Sequence, residues 1–288
     1  MKDVPGVHRF AHAAMATTFE IRCAHDDPSY ARQAAEAAWA AVDRIEQDQS
    51  RFIANSDVSR VNALGAGQSA RVSPWTMECL EIARRMYEVT AGAFDVSLGT
   101  GLDGLELLAD DFTVVARRDG VALDLGGIGK GFAVDRIGEL LGEWEIPRAL
   151  VHGGWSSVLA LDPPAQSDGW PLTLSAPGPS PSRVLERIAA RRRALSASGT
   201  RKGDHIFDPR TGAAARRRAA WVAVDARSAG EPASPAAVAE TLSTALIVLT
   251  GDDAARLIAG CPGVEAWVFE DGQVAHLTGA AIEDNDLP

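Results

Sequence analysis

Apolar positions along the chain follow two periods, and the switches between them mark the elements. Phe19, Ile21 and Cys23 alternate with Glu20 and Arg22, which predicts a strand. Asp27-Pro28 then opens a helix with Ala31, Ala35, Ala38, Val42 and Ile45 on its buried stripe. Asp48 to Asn62 is polar and too irregular for a long helix. Ser73-Pro74 opens a second helix, with Met77, Leu80, Ala83 and Tyr87 inward, and Thr90-Ala-Gly92 ends it. Phe112–Val115 and Val121–Leu125 read as a hairpin. From Phe132 the spacing turns helical again, through Ala133, Ile137, Leu140 and Leu141.

In the second half, strands are expected at 149–151, 157–161, 172–174 and 221–225, and a closing hairpin at 264–269 and 273–276. A helix over 237–250 carries Val238, Leu242, Ala245 and Leu249 on one stripe. Many short strands with few helices predict an α+β fold: mixed, largely antiparallel sheets flanked by helices. No linker stands out, so the expectation is one two-lobed domain over 15–279. Residues 1–14 would be an extension and 280–288 an acidic, frayed tail.

Composition narrows the function classes. The net charge is −11, which disfavours nucleic acid and anionic membranes as partners. Cys23, Cys79 and Cys261 lie far apart and show no metal or disulfide spacing. No apolar run is long enough to span a membrane, and no signal peptide or lipid-accepting cysteine is seen. As written, the chain is expected in the cytoplasm, as a monomer or homodimer.

The densest chemistry lies in Leu123-Asp-Leu-Gly-Gly-Ile-Gly-Lys-Gly-Phe-Ala-Val-Asp135. It reads as strand, glycine-rich turn and helix, with Lys130 in the turn and Asp124 and Asp135 on either side. Such a turn lets backbone approach a ligand and favours anions at the helix start. It is not a P-loop, because no Ser or Thr follows the lysine, and it lacks the dinucleotide G-x-G-x-x-G spacing. A plain tight turn, a phosphate site and a metal site all remain open.

Glu240 and Thr244 share a helix face at i, i+4, which suits either an exposed acid with a back-bonded threonine or two oxygen ligands for a hard cation. His205 precedes Asp208-Pro-Arg-Thr-Gly212, which is turn chemistry. The histidine is either incidental to a hairpin or a base held by it.

Taken in order, these motifs resemble the ApbE family of flavin transferases. Met15-Ala-Thr17, Ser50-Arg-Phe52 with Ser56-Asp-Val-Ser-Arg-Val-Asn62, and Thr90-Ala-Gly-Ala-Phe-Asp95 are similar to its first three motifs. The turn at 124–135, Ser198-Gly199 with His205-Ile-Phe-Asp-Pro-Arg-Thr-Gly212, and Ala239-Glu-Thr-Leu-Ser-Thr-Ala245 are similar to the last three. The resemblance implies Mg²⁺-dependent transfer of FMN from FAD to a Thr or Ser hydroxyl of an acceptor flavoprotein, with release of AMP. The alternatives are an FAD pyrophosphatase and a non-catalytic FAD-binding protein. By position it implies Gly127, Glu240 and Thr244 as metal ligands. Met15, Phe52, Ala93, Phe94, Asp95, Asp124, Lys130, His205 and Ile206 would surround FAD, with Lys130 and His205 catalytic. The chain departs from the usual pattern at Glu240 (usually Asp), Trp155 (usually Asp), Ala16 (usually Gly) and Gly129 (usually Ala).

Overall fold

A computed structural model describes residues 6–176, 183–199, 206–215, 218–226 and 234–280. The chain begins with a hairpin of β1 (Val7–Ala14) and β2 (Thr17–Ala24). Met15 and Ala16 join the strands with φ of 49° and 55°, the primed two-residue turn whose twist matches paired strands. Residues 7–14, placed ahead of the domain in the sequence reading, thus form the outer strand of the large sheet.

Helix α1 (Pro28–Gln49) starts where Asp27 accepts the Ser29 and Tyr30 amides. The polar segment after it holds the short α2 (Asp57–Asn62), capped by Ser56. Next come β3 (Ser69–Arg71), α3 (Pro74–Val89), β4 (Leu105–Leu108) and β5 (Thr113–Ala116). β5 pairs with β4 and β3, not with Val121–Leu125, so the expected hairpin is replaced by a three-stranded sheet in the order β3-β5-β4.

Val121, Leu123 and Leu125 are buried as their alternation predicts, but side chains replace the ladder. The Asn62 amide donates to the Leu123 carbonyl (2.9 Å) and accepts from its N–H (2.6 Å). Asn62→Ala is expected to cost about 1–3 kcal/mol, because both backbone groups lose their partner. At roughly 2–4 °C per kcal/mol, a thermal melt resolves that loss.

Helix α4 (Gly129–Glu143) leads to β6 (Ala149–Gly153) and β7 (Ser157–Ala160). A separate hairpin pairs β8 (Trp170–Ser175) with β9 (Val184–Ala190). Then follow β10 (Arg193–Gly199), β11 (Arg218–Asp225), α5 (Pro235–Val248), α6 (Gly251–Ala259), β12 (Val264–Glu270) and β13 (Gln273–Thr278). The large sheet has the order β1-β2-β6-β7-β10-β11-β12-β13, and each ladder among the described residues is antiparallel.

Strand alternation divides the interior in two. On β11, Ala220, Val222 and Val224 face the main core, under α1, α4 and α5. Ala219, Trp221 and Ala223 face the opposite side, where Trp170 and Leu174 of β8 cover them. Leu105 and Val114 of the small sheet belong to the main core, so both sheets share it. Arg218 is buried in β11 and bonds the Leu249 carbonyl and Glu270. Among the described residues no helix is long and apolar enough to cross a membrane. The tail from 281 onward lies outside the described residues.

Candidate active site

Helices α4 and α5 each cap the other with an acid. Both oxygens of Asp135, on α4, accept the Ala236 and Ala237 amides that open α5 (2.9 and 2.8 Å). Glu240, on α5, accepts the Gly131 amide near the start of α4 (2.5 Å) and pairs with Lys130 Nζ. Orphan N–H groups at the two helix starts are thereby satisfied by carboxylates that suit the positive dipole ends. Burial pushes the Asp135 carboxyl up to about 8, and the two amides pull against that shift. The contact is close because Gly131 has no side chain. A Cβ there would lie 2.3 Å from the Ala236 carbonyl oxygen.

The exchange places Glu240, which is 4% exposed, beside the glycine turn. Leu125–Gly127 forms a single 3₁₀ turn, and Asp124 starts it by accepting the Gly126 amide (2.8 Å). The other Asp124 oxygen pairs with Arg51 Nε (3.1 Å), and the Arg51 guanidinium lies over the Phe52 ring. A Cβ at Gly127 would lie 3.1 Å from the Phe94 ring, so bare backbone fits between ring and cavity. Thr244 donates back to the Glu240 carbonyl (3.0 Å) and meets Ser198 Oγ at 3.3 Å. Ser198 also meets Ser243 (2.8 Å), so a row of hydroxyls joins β10 to α5.

Two loops close the opposite side. Asp95 folds its own loop by accepting the Ser97 amide and hydroxyl (2.7 Å each) and the Gly99 amide (3.0 Å). The Asp208–Gly212 turn forms as its sequence predicts, with the Gly212 amide on the Asp208 carbonyl (2.7 Å) and φ of 72° at Gly212. The loops touch at Gly99, where an added Cβ would lie 2.6 Å from the Pro209 carbonyl oxygen.

Together these segments line a cavity of about 760 Å³, a size that suits a small-molecule or cofactor ligand. Of the residues singled out from the sequence, Ala93, Phe94, Asp95, Asp124, Gly127, Lys130, Ile206, Glu240 and Thr244 line it. Met15 sits in the β1–β2 turn and packs against the core without reaching the cavity wall, and Phe52 is 84% exposed beside Arg51. His205 lies outside the described residues. The cavity also takes in Arg51, Ser198 and Trp155. Arg51 was legible as a cation next to the aromatic of its motif. Ser198 was marked by the Ser198-Gly199 motif and Trp155 by its departure from the usual Asp, but their convergence on this cavity comes from strand ends and loops that no local pattern joins.

A family model described as the ApbE family matches residues 15–105 and 99–268. The chain belongs to the ApbE family. A relative from Treponema pallidum (strain Nichols), named FAD:protein FMN transferase, is 29% identical over 309 residues, 87% of this chain and 83% of that protein. The flavin transferase ApbE from Vibrio cholerae aligns with TM-score 0.79 over 95% of this chain and 97% of its own, at 20% identity. The apo flavinyl transferase ApbE from Pseudomonas stutzeri gives TM-score 0.79 at 21% identity, over 95% and 94% of the two chains. These likenesses establish the ApbE fold and agree with the α+β architecture expected from the sequence.

Proposed function

We propose that this chain transfers the FMN part of FAD to a threonine or serine hydroxyl of an acceptor flavoprotein, releasing AMP, with Mg²⁺ at the FAD diphosphate. The supporting observation is that Gly127, Lys130, Glu240 and Thr244 share one cavity wall although more than a hundred residues separate the two motifs.

The donor set fits a hard cation. One carboxylate, one hydroxyl and one backbone carbonyl are all oxygen, and they leave room for water and phosphate oxygens. Gly127, Glu240 and Thr244 would hold the ion, which when bound stabilises charge on the transferred phosphoryl group. The same wall supplies the counter-charge. Lys130 pairs with Glu240, and its side chain is 25% exposed, so its ammonium can turn toward a diphosphate. Asp124, Ala93, Phe94, Asp95 and Ile206 would contact FAD, with Phe52 and Met15 at the margin. His205 would take the proton from the acceptor hydroxyl.

Incubation with FAD, Mg²⁺ and acceptor is expected to yield AMP together with a flavin-fluorescent protein band that survives denaturation. AMP with no labelled protein makes the chain an FAD pyrophosphatase instead. Tight FAD binding with no AMP makes it a binding protein.

A further inference from the structure

A second cavity, of about 630 Å³, adjoins the candidate active site. Trp155, Ser156, Ala197 and Trp221 line both. Four consecutive residues of β8, Pro171, Leu172, Thr173 and Leu174, also line the second cavity. Alternate side chains of a strand point to opposite faces, so a face would contribute every other residue. Four in a row means that β8 presents its edge. The next two residues, Ser175 and Ala176, line the active-site cavity. The edge therefore runs from one cavity into the other over six residues, ~20 Å of extended backbone. β9 covers the other side of β8, lines neither cavity, and is the partner of β8 in a two-stranded sheet among the described residues.

We propose that this edge is the docking rail for the acceptor protein: an extended acceptor segment adds to β8 as a further strand and carries its hydroxyl from the second cavity into the active site. The proposal rests on the transferase reading above.

A polypeptide is the occupant that matches. Among the described residues this edge of β8 has no partner strand, and its backbone groups, except at Pro171 which has no N–H, can be satisfied in register by another backbone. Trp155 stands at the junction of the cavities with its side chain fully exposed, 101% relative to a free residue. An indole held at such a junction offers large contact area with a polar N–H. At the far end, Arg9 pairs with Glu20 and keeps 68% of its side chain exposed on the second cavity. Glu20 pairs in register with His152 of β6, and Trp155 lies in the turn that joins β6 to β7. The exposed Arg9 guanidinium favours an acidic side chain on the acceptor at the far end of the second cavity.

The test uses the full-length protein with FAD, Mg²⁺ and randomised peptides that carry a single threonine, read as covalently fluorescent peptide. Wild type is expected to label a subset enriched in acidic residues at one spacing from the threonine. Thr173→Pro, which removes a donor in mid-rail, and Arg9→Glu, which reverses charge at the far end, are each expected to cut labelling roughly tenfold or more, with FAD affinity held within about twofold. If Thr173→Pro also loses FAD binding, the strand has been disrupted and Arg9→Glu decides. Equal labelling by wild type and Arg9→Glu overturns the rail and leaves the transferase reading standing. AMP release with no labelled peptide, from protein that does label an intact acceptor flavoprotein, overturns the rail; if the intact acceptor is unlabelled too, the transferase reading fails and the rail with it. Neither AMP nor label means that the transferase reading has failed, and the docking proposal falls with it.

Discussion

Glu240→Ala is expected to reduce Mg²⁺-dependent AMP release by roughly 10²-fold or more. Glu240 is the carboxylate of the proposed metal-ligand set, and its place is fixed by α5 and by the Gly131 amide. Removing it takes away an anionic ligand, and neither the Gly127 carbonyl nor the Thr244 hydroxyl supplies that charge. It also leaves the Gly131 N–H without its acceptor and releases Lys130 from its ion pair, a structural cost of about 1–3 kcal/mol. The two effects separate by experiment. Titrating Mg²⁺ against AMP release reads the metal site, and a thermal melt in metal-free buffer reads the fold. Glu240→Asp keeps the charge on a shorter arm and should retain measurable turnover. Wild-type AMP release from Glu240→Ala at saturating Mg²⁺ would remove Glu240 from the metal site.

Where sequence and structure agree or part follows from the range of the interactions. The stripes of α1, α3 and α5 were legible because burial repeats every three or four residues, and the β12–β13 hairpin because it closes locally. Val121–Leu125 was misread because alternation reports one buried side and says nothing about what satisfies the backbone, which here is Asn62, sixty-one positions away. β1 escaped because it is an outer strand whose residues are largely half-buried or exposed. β9 carries Glu186 and Arg187 and has no apolar run to announce it. Helix α6 is short and opens on Gly251-Asp-Asp253, which reads as a loop until Thr250 is seen to cap it.

The candidate site shows the same division. Its turns were readable residue by residue, because Asp208-Pro-Arg-Thr-Gly212 and the glycines of 126–131 are local backbone chemistry. Its assembly was not. The Asp135 bonds to Ala236 and Ala237 span about a hundred residues, and nothing in either stretch names the other. The sequence offered Glu240 as either a solvated acid or a ligand. The structure buries it and pairs it with Lys130, so it is not a solvated surface group. Thr244 does make the back-bond to residue i−4 that a solvated helix threonine would also make. Thr244 nonetheless lines the cavity, with its hydroxyl also within reach of Ser198 Oγ.

Gly131→Ala and Gly129→Ala, two positions apart on the same helix, are expected to act in opposite directions. At Gly131 a Cβ would lie 2.3 Å from the Ala236 oxygen, 2.6 Å from its carbonyl carbon and 2.8 Å from Ala237 Cα. All three are backbone atoms at the start of α5, so no rotamer relieves the clash and the helices must separate. Separation stretches both exchanged caps together, the Asp135 bonds to α5 and the Glu240 bond to α4. A cost of about 3 kcal/mol is expected, at the upper end for overpacking, because capping bonds are lost as well as packing. That corresponds to a fall in Tm of roughly 6–12 °C. The same movement carries Glu240 away from the glycine turn, so Mg²⁺ dependence should weaken with stability. At Gly129 the nearest atom to an added Cβ is Gln49 Oε1 at 3.9 Å, an ordinary contact. Alanine there removes the conformational freedom of a glycine at the first position of α4, and a gain of about 0.4–1 kcal/mol follows. Melts of the two variants at one pH give the comparison directly. Equal Tm for Gly131→Ala and wild type would mean that the α4–α5 contact is looser than drawn, and the exchanged caps would then no longer account for the position of Glu240.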